Sequence, residues 1–389
     1  KILSFSILIL GLIFLIKESK KIKLIKFNTF KYEYCCIIII IFSYLLISIG
    51  PITSADSLDY HIGVPFYIIN NETYPDLKFW IHSTKAGAGE IFYTLPLINN
   101  AINLPGLTQI ASILGITGLL LNKNNINTNK KNFNLILIFL SCPLLLFFVS
   151  SAKPQLIYVA GSALVFSLIF FGNKKQFTNI NFLIFVLVIL VTNSIGKFSF
   201  TLSSGLLFLT IFYFVYLENN LLKLILVSLL TSLIVLLPKG MYLSSTYDVS
   251  FFSSIISPLP LKLPGYEQLY TSLTSCGYSG CFPYWLIFPK DIYSLTESLG
   301  IGGIIILFIS IKNNSYLKIA ILILILQILM SSLFGPNNAR WFFEPFVWGL
   351  ILIKYFGFRY ALFEKSFFLL GKLQSIFIFL ILSYSVIFL

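Results

Sequence analysis

Asp56 and Asp59 stand three residues apart, with His61 two further on, directly after the uncharged run 35–50. Two carboxylates and an imidazole at the edge of a hydrocarbon run can take and give protons where a lipid-borne substrate would present itself. Residues 51–90 also hold Glu72, Asp76, Glu90 and His82, so both histidines of the chain fall in this one stretch. Thr53, Ser54 or Asp56 can cap a helix entering residues 57–69, with Asp59 in its first turn where carboxylates suit the helix dipole. The same spacing puts both carboxylates on one helix face, and the dipole would keep Asp56 ionised as a base. The pattern serves a capping pair and a catalytic pair equally. His61 is expected to hydrogen-bond Asp56 or Asp59 and orient a carboxylate or an acceptor hydroxyl.

Cations that could meet an anionic group are sparse. Lys153 and Lys197 are single lysines in two very short turns between apolar runs, Lys85 lies near Glu90, and Arg340 is one of two arginines in the chain. Lysines at helix ends commonly reach for the interface, which is a sufficient reason for either one. A guanidinium fork suits phosphate better than an ammonium does, which makes Arg340 the strongest phosphate candidate. His61 and His82 with the nearby acids could ligate a divalent metal, though no tight histidine or cysteine spacing marks a metal centre; a divalent metal is the one cofactor the residues leave open. Cys276 and Cys281 could close a small disulfide-bonded turn or stay as free thiols.

The elements that must position these residues follow from composition. Of the 389 residues 57% are hydrophobic and only 11% charged, with mean hydropathy +0.91. A soluble domain carries about a quarter charged residues, so the chain reads as a multi-pass membrane protein. The formal net charge of +13 comes from short lysine clusters between apolar runs, the mark of cytoplasmic loops, and a nucleic-acid partner is rejected. Apolar runs recur at 2–16, 35–50, 91–121, 133–149, 156–172, 180–195, 199–217, 221–238, 299–311, 317–334, 341–356 and 367–389. The first is read as a clipped or tilted helix. The whole is expected to be all-α, with about 11–12 transmembrane helices.

Placing Lys17, Lys20, Lys21, Lys23, Lys26 and Lys31 in the cytoplasm forces later loops to alternate. Inner loops then carry Lys123, Lys130, Lys131, Lys174, Lys175, Lys223, Lys312, Lys318, Lys354, Arg359 and Lys365. Outer loops carry Asp56, Asp59, Glu72, Asp76, Glu90, Asp248, Glu267, Asp291, Glu297 and Glu344. Two outer loops dominate the aqueous part: 51–90, the catalytic candidate, and 239–298, a Tyr-rich cap, within a single membrane domain 1–389. On this reading no helix centre carries a charge, which disfavours a transporter.

The run Asp56-Ser57-Leu58, with Tyr60 and His61 behind it, just outside an early helix, resembles the first outer loop of GT-C-type glycosyltransferases. These multi-pass enzymes use sugars linked to polyprenyl phosphate. The resemblance implies that Asp56 activates the acceptor and that Glu90, in Ala86-Gly87-Ala88-Gly89-Glu90, is a second acidic position of the same loop. Ala339-Arg340-Trp341-Phe342-Phe343-Glu344-Pro345 resembles the family's late Arg-aromatic element, with an extra residue before the proline.

The expectation is therefore a GT-C-like membrane glycosyltransferase. Asp56, Asp59, His61 and Glu90 would be catalytic, and Arg340, Lys153, Lys197 and Lys85 would face the donor phosphate. It would move a sugar, with inversion, from a polyprenyl-phosphate donor to a lipid, glycan or protein acceptor at the periplasmic face of a bacterial inner membrane, among its lipids. The rivals are an O-antigen-type polymerase or ligase, and a lipid or polysaccharide transporter.

Overall fold

Most apolar runs are apolar all round rather than along one stripe, the pattern of helices covered by lipid or by other helices. In the computed structural model they are helices. The described residues are 32–387 apart from 77–78, 81, 84–85, 122–128, 218–219, 248–285, 288, 290–294, 311–314 and 335–338. The run 2–16, Lys85, Cys276, Cys281 and most of the 239–298 cap lie outside them.

The helices, in order, are α1 (Tyr32–Ile49), α2 (Gly63–Asn71), α3 (Ala88–Leu97), α4 (Leu104–Leu121), α5 (Asn129–Leu140), α6 (Leu144–Val149), α7 (Gln155–Phe171), α8 (Ile180–Gly196), α9 (Phe198–Leu217), α10 (Leu221–Tyr247), α11 (Ser315–Phe334), α12 (Ala339–Phe356) and α13 (Ala361–Ile387). A π-helical turn, Ser57–His61, leads into α2, and a 3₁₀ segment, Gly300–Phe308, precedes α11. Among the described residues there is no strand, only an isolated bridge between Ile309 and Phe358. Four helical stretches, Leu104–Leu121, Phe200–Leu217, Ser315–Leu333 and Leu362–Val386, are long and apolar enough to cross a membrane, and five shorter apolar helices accompany them. The protein is an all-α membrane protein.

Helices α7 and α12 form the centre: nearly all of α12 is buried, and α7 packs on α4, α8, α9 and α12. They run parallel. Gln155 donates to the Arg340 carbonyl at their starts (3.2 Å), and Phe171 stacks on Tyr355 at their ends (centroids 3.7 Å). At the periphery α10 leaves Leu222, Leu226, Leu229, Leu230, Leu233 and Ile234 exposed, an apolar face of the kind that lipid covers in a membrane protein.

The ends of the bundle differ. One gathers the close of α1, the start of α4, residues 150–155, the α8–α9 junction and the start of α12. At the other, the Lys354 ammonium donates to the Leu119 carbonyl, Lys131 to the Lys354 carbonyl and Lys223 to the Thr178 carbonyl.

Several expectations need correction. The run 133–149 is two helices, because Pro143 lacks an N–H and breaks the ladder between α5 and α6. The loose groups are still paired: Gln374 on α13 donates to the Ser141 carbonyl (2.8 Å), and the Leu144 N–H reaches the Ser298 carbonyl (3.2 Å). The run 91–121 is also two helices, α3 and α4, parted at Asn99-Asn100. Within the run 299–311 the described part forms a 3₁₀ segment, Gly300–Phe308, rather than an α-helix, and residues 239–247 continue α10 rather than opening the cap.

The bare helix centres also fail. Glu344 lies inside α12 at 2% exposure, not in a loop, and Lys372 lies within α13. Hydropathy averaged over a window hides a single charge among strongly apolar neighbours, which is why both were missed.

Candidate functional site

Between α1 and α2 the chain does not form the capped α-helical turn its sequence suggests. Asp56 has helical backbone angles and makes no side-chain cap bond. The Ile62 N–H instead reaches back five residues to the Ser57 carbonyl (2.9 Å), so the turn is π-helical. A wider turn rotates residues three apart away from one another. Asp56 and Asp59 accordingly take different partners, rather than sharing one face as expected.

Asp59 accepts from Trp80 Nε1 (2.7 Å) and is bonded to His82 Nδ1 (2.6 Å), so each carboxylate oxygen holds a ring N–H from the following loop. That makes it a clasp from residues 57–61 to Trp80 and His82. Asp56 turns the other way and meets the Lys153 ammonium at 2.7 Å. The partners are unequally buried, with the Lys153 side chain 2% exposed and that of Asp56 55%.

Lys153 is fixed from its backbone outward. Gln109 of α4 donates to its carbonyl (2.6 Å), and the neighbouring Ala152 N–H donates to Ser57 Oγ (3.2 Å). The Phe147 ring, at the end of α6, collects two cations: the Lys153 ammonium lies 4.5 Å and the Arg340 guanidinium 5.1 Å from its centroid. Both gain from the ring's negative face. Arg340 starts α12, where Gln155 fastens its carbonyl, and the same Gln155 amide accepts from Lys197 (3.5 Å). Three cations from three junctions thus gather at this end of the bundle: Lys153 pairs with Asp56, Arg340 acts on Asp56 from further off, and Lys197 is drawn chiefly by Glu90.

Glu90 and His61 form a second pair. His61 Nδ1 and Glu90 Oε1 are 2.6 Å apart with both side chains fully buried, and the Gly87 N–H donates to Glu90 Oε2 (2.8 Å). His61 was expected on Asp56 or Asp59, and it pairs instead with a residue 29 positions away. A close helix approach places Glu90: a Cβ on Gly87 would strike the Gly196 carbonyl, and one on Gly196 would strike the Tyr158 ring. Tyr158 in turn receives the Gly89 N–H (2.6 Å).

The electrostatics follow from burial and neighbours. Burial pushes the Asp56 carboxyl up, but the Lys153 hydrogen bond and charge, with Arg340 behind, outweigh it and hold the group below its ordinary value. Burial lowers His61 to about 4 even though Glu90 favours its charged form, so the ring is neutral at pH 7. Burial would also raise Glu90, yet the His61 and Gly87 N–H groups keep it a carboxylate. The neutral His61 therefore donates from Nδ1, and its Nε2 is buried with no hydrogen-bond partner. Burial lowers Lys197 to about 7, against the pull of Glu90.

Sequence reasoning brought Asp56, Lys153, Lys197 and Arg340 to this end of the protein, and His61 and Glu90 beside them. It missed Phe147, Gln155 and Tyr158. Phe147 is hidden in an apolar run, whereas Gln155, a lone amide after Lys153-Pro154 at the head of such a run, was a legible signal. Among the described residues, no three His, Cys, Asp or Glu side chains gather as metal ligands.

Fold and site together define a multi-pass, all-α membrane protein with a compact acid–cation cluster at one end of its helices. The chain belongs to the family described as the DUF1420 N-terminal domain, whose model matches residues 4–389. No curated protein and no solved structure matches it.

Proposed function

We propose that the cluster is the site of a membrane glycosyltransferase that takes its sugar from a polyprenyl-phosphate donor at the extracytoplasmic face of a bacterial inner membrane, through a GT-C-like arrangement. The observation that carries this reading is the Asp56–Lys153 contact at 2.7 Å, with Arg340 and Lys153 sharing the Phe147 ring and Lys197 tied to Arg340 through Gln155. A phosphate needs several converging cations, and an acceptor hydroxyl needs one carboxylate beside them.

In the resting protein Lys153 is the counter-ion of Asp56, which makes Asp56 a poor base. A donor phosphate competes for the same ammonium. When Lys153 and Arg340 turn to the phosphate, Asp56 loses its counter-charge and its proton affinity rises. The acceptor oxygen then attacks the anomeric carbon and passes its proton to Asp56. The bond from that carbon to the phosphate oxygen breaks, and its electron pair leaves with polyprenyl phosphate, held by Lys153, Arg340 and Lys197. Attack opposite the leaving group inverts the anomeric carbon. Asp59 and the His61–Glu90 pair support the loop that carries Asp56.

Purified protein given a polyprenyl-phosphate sugar and a mixed acceptor pool should release polyprenyl phosphate, and Asp56→Asn should slow that release by about 10²–10⁴-fold. Equal release from the mutant would remove Asp56 as the base.

Glu344, buried within α12, favours a second reading as a transporter of lipid-linked sugar, since ionisable groups inside helices mark transport paths. Flux of labelled donor across proteoliposomes without glycosidic cleavage would select it.

A further inference from the structure

On the flank of the bundle, towards the end opposite the acid–cation cluster, a cavity of about 490 Å³ lies between α1, α5 and α13. Ile40, Phe133 and Leu137 form its buried floor, and Cys36, Ile376 and Phe379 its exposed rim. Local packing explains the gap. Gly371 lets α13 close on α5, since a Cβ there would strike the Ile138 side chain, and one turn further the small Ser375 leaves space that a larger side chain would fill. The Ser375 hydroxyl donates to the Gly371 carbonyl (2.7 Å), so its proton is already placed.

The cavity carries one charge. Lys372 lines it and makes no ion pair with a described residue. Its Cα is about 16 Å from that of Ala361 by helix rise, inside the stretch Leu362–Val386 that is long and apolar enough to cross a membrane. Helical side chains lean towards the N-terminus of their helix, which directs the ammonium back towards the end that carries Lys131, Lys223 and Lys354. Lys365, two turns nearer that end, is exposed and shares the face of Lys372. Glu364, the one acid of α13, is its immediate neighbour in sequence and so faces another side of the helix. Leu369, Leu373 and Leu380 around the cavity are exposed as well, so it opens where lipid tails lie rather than onto water.

We infer that the groove between α1, α5 and α13 binds one anionic phospholipid, with an acyl chain in the cavity and the phosphate between Lys372 and Lys365. Charge complementarity names the occupant. An ammonium inside a membrane span is costly unless an anion meets it, and anionic lipids gather beside clustered lysines. The apolar floor adds a place for a tail, which a free phosphate would leave empty. The bound chain fills the gap and fastens α13 to α1 and α5. The site lies away from Lys153, Arg340 and Lys197 and is independent of the glycosyl-transfer reading.

The test uses the full chain in an uncharged maltoside detergent, titrated with phosphatidylglycerol, phosphatidylcholine or inorganic phosphate. The unfolding temperature should rise and saturate with phosphatidylglycerol, as linkage requires, and should respond little to the other two. Lys372→Gln should weaken the apparent phosphatidylglycerol affinity several-fold, and Lys372→Arg should preserve it. Cys36→Trp, which fills the rim and leaves both lysines in place, should also weaken it several-fold. Native mass spectrometry of the wild type, which needs no variant to fold, should show one phosphatidylglycerol retained per chain. Superimposed phosphatidylglycerol and phosphatidylcholine curves would overturn the site, as would an equal shift with inorganic phosphate. So would a response at full strength in Lys372→Gln or Cys36→Trp, or a wild-type mass of two chains with no lipid, which would assign the groove to a second copy.

Discussion

The Asp56–Lys153 pair is asymmetric, and that asymmetry predicts unequal mutational effects. Asp56→Asn leaves an ammonium on a side chain 2% exposed with its nearest negative charge removed. Breaking a buried pair from one side costs about 3–5 kcal/mol, and the 55% exposure of Asp56 scales this to about 2 kcal/mol, between the buried and surface limits. Lys153→Met leaves instead a carboxylate that water already reaches, and methionine retains the apolar stem, so the loss should be under about 1 kcal/mol. The double mutant removes both charges and should recover about 1–2 kcal/mol relative to Asp56→Asn. Thermal unfolding of all four proteins in one detergent, with release of polyprenyl phosphate measured in parallel, completes the cycle. The double mutant should regain stability and remain inactive, which separates the chemical role of Asp56 from its structural one. Equal destabilisation by the two single mutants, or a double mutant no more stable than Asp56→Asn, would refute the reasoning.

Lys197, held to about 7 by burial, is charged below that pH and neutral above it. Donor affinity should therefore fall as pH rises through about 7, and Lys197→Arg should flatten the fall; an unchanged pH profile would exclude Lys197 from the phosphate site. If Arg340 forks onto phosphate, Arg340→Lys should raise the donor KM and Arg340→Ala should raise it further, whereas a snorkelling role would leave Arg340→Lys silent. Cysteines introduced at positions 53 and 129 should label from opposite sides of the membrane, position 53 from outside, and labelling of both from one side would break the topology. His61, lowered to about 4 in the fold from an ordinary value near 6.5, supports stability fully above about 6.5. That support is lost as pH falls from about 6.5 towards 4, and a His61→Phe variant should show a shallower acid limb.

The helical class was legible because the apolar runs lack any stripe, and the acid-rich end was legible because residues 51–90 concentrate the acids and both histidines. Lys153, Lys197 and Arg340 were found because each interrupts otherwise apolar sequence. Pairing was not legible. That His61 would face Glu90, and Asp59 would face Trp80 and His82, depends on a π-helical turn that shifts the register of every following side chain. Spacing arguments that assume an α-helix cannot foresee it. Glu344 escaped because hydropathy sums weigh one carboxylate against the aromatic residues around it, whereas burial and partners decide its role.

The most direct test of the account is the affinity of the protein for polyprenyl phosphate in wild type and in Asp56→Asn, measured alongside turnover. If Asp56 and phosphate compete for Lys153, removing the carboxylate should tighten phosphate binding several-fold while slowing transfer by about 10²–10⁴-fold. Unchanged or weaker phosphate binding in Asp56→Asn, together with turnover near that of the wild type, would contradict the claim that this pair is where the donor phosphate is received and the acceptor is activated.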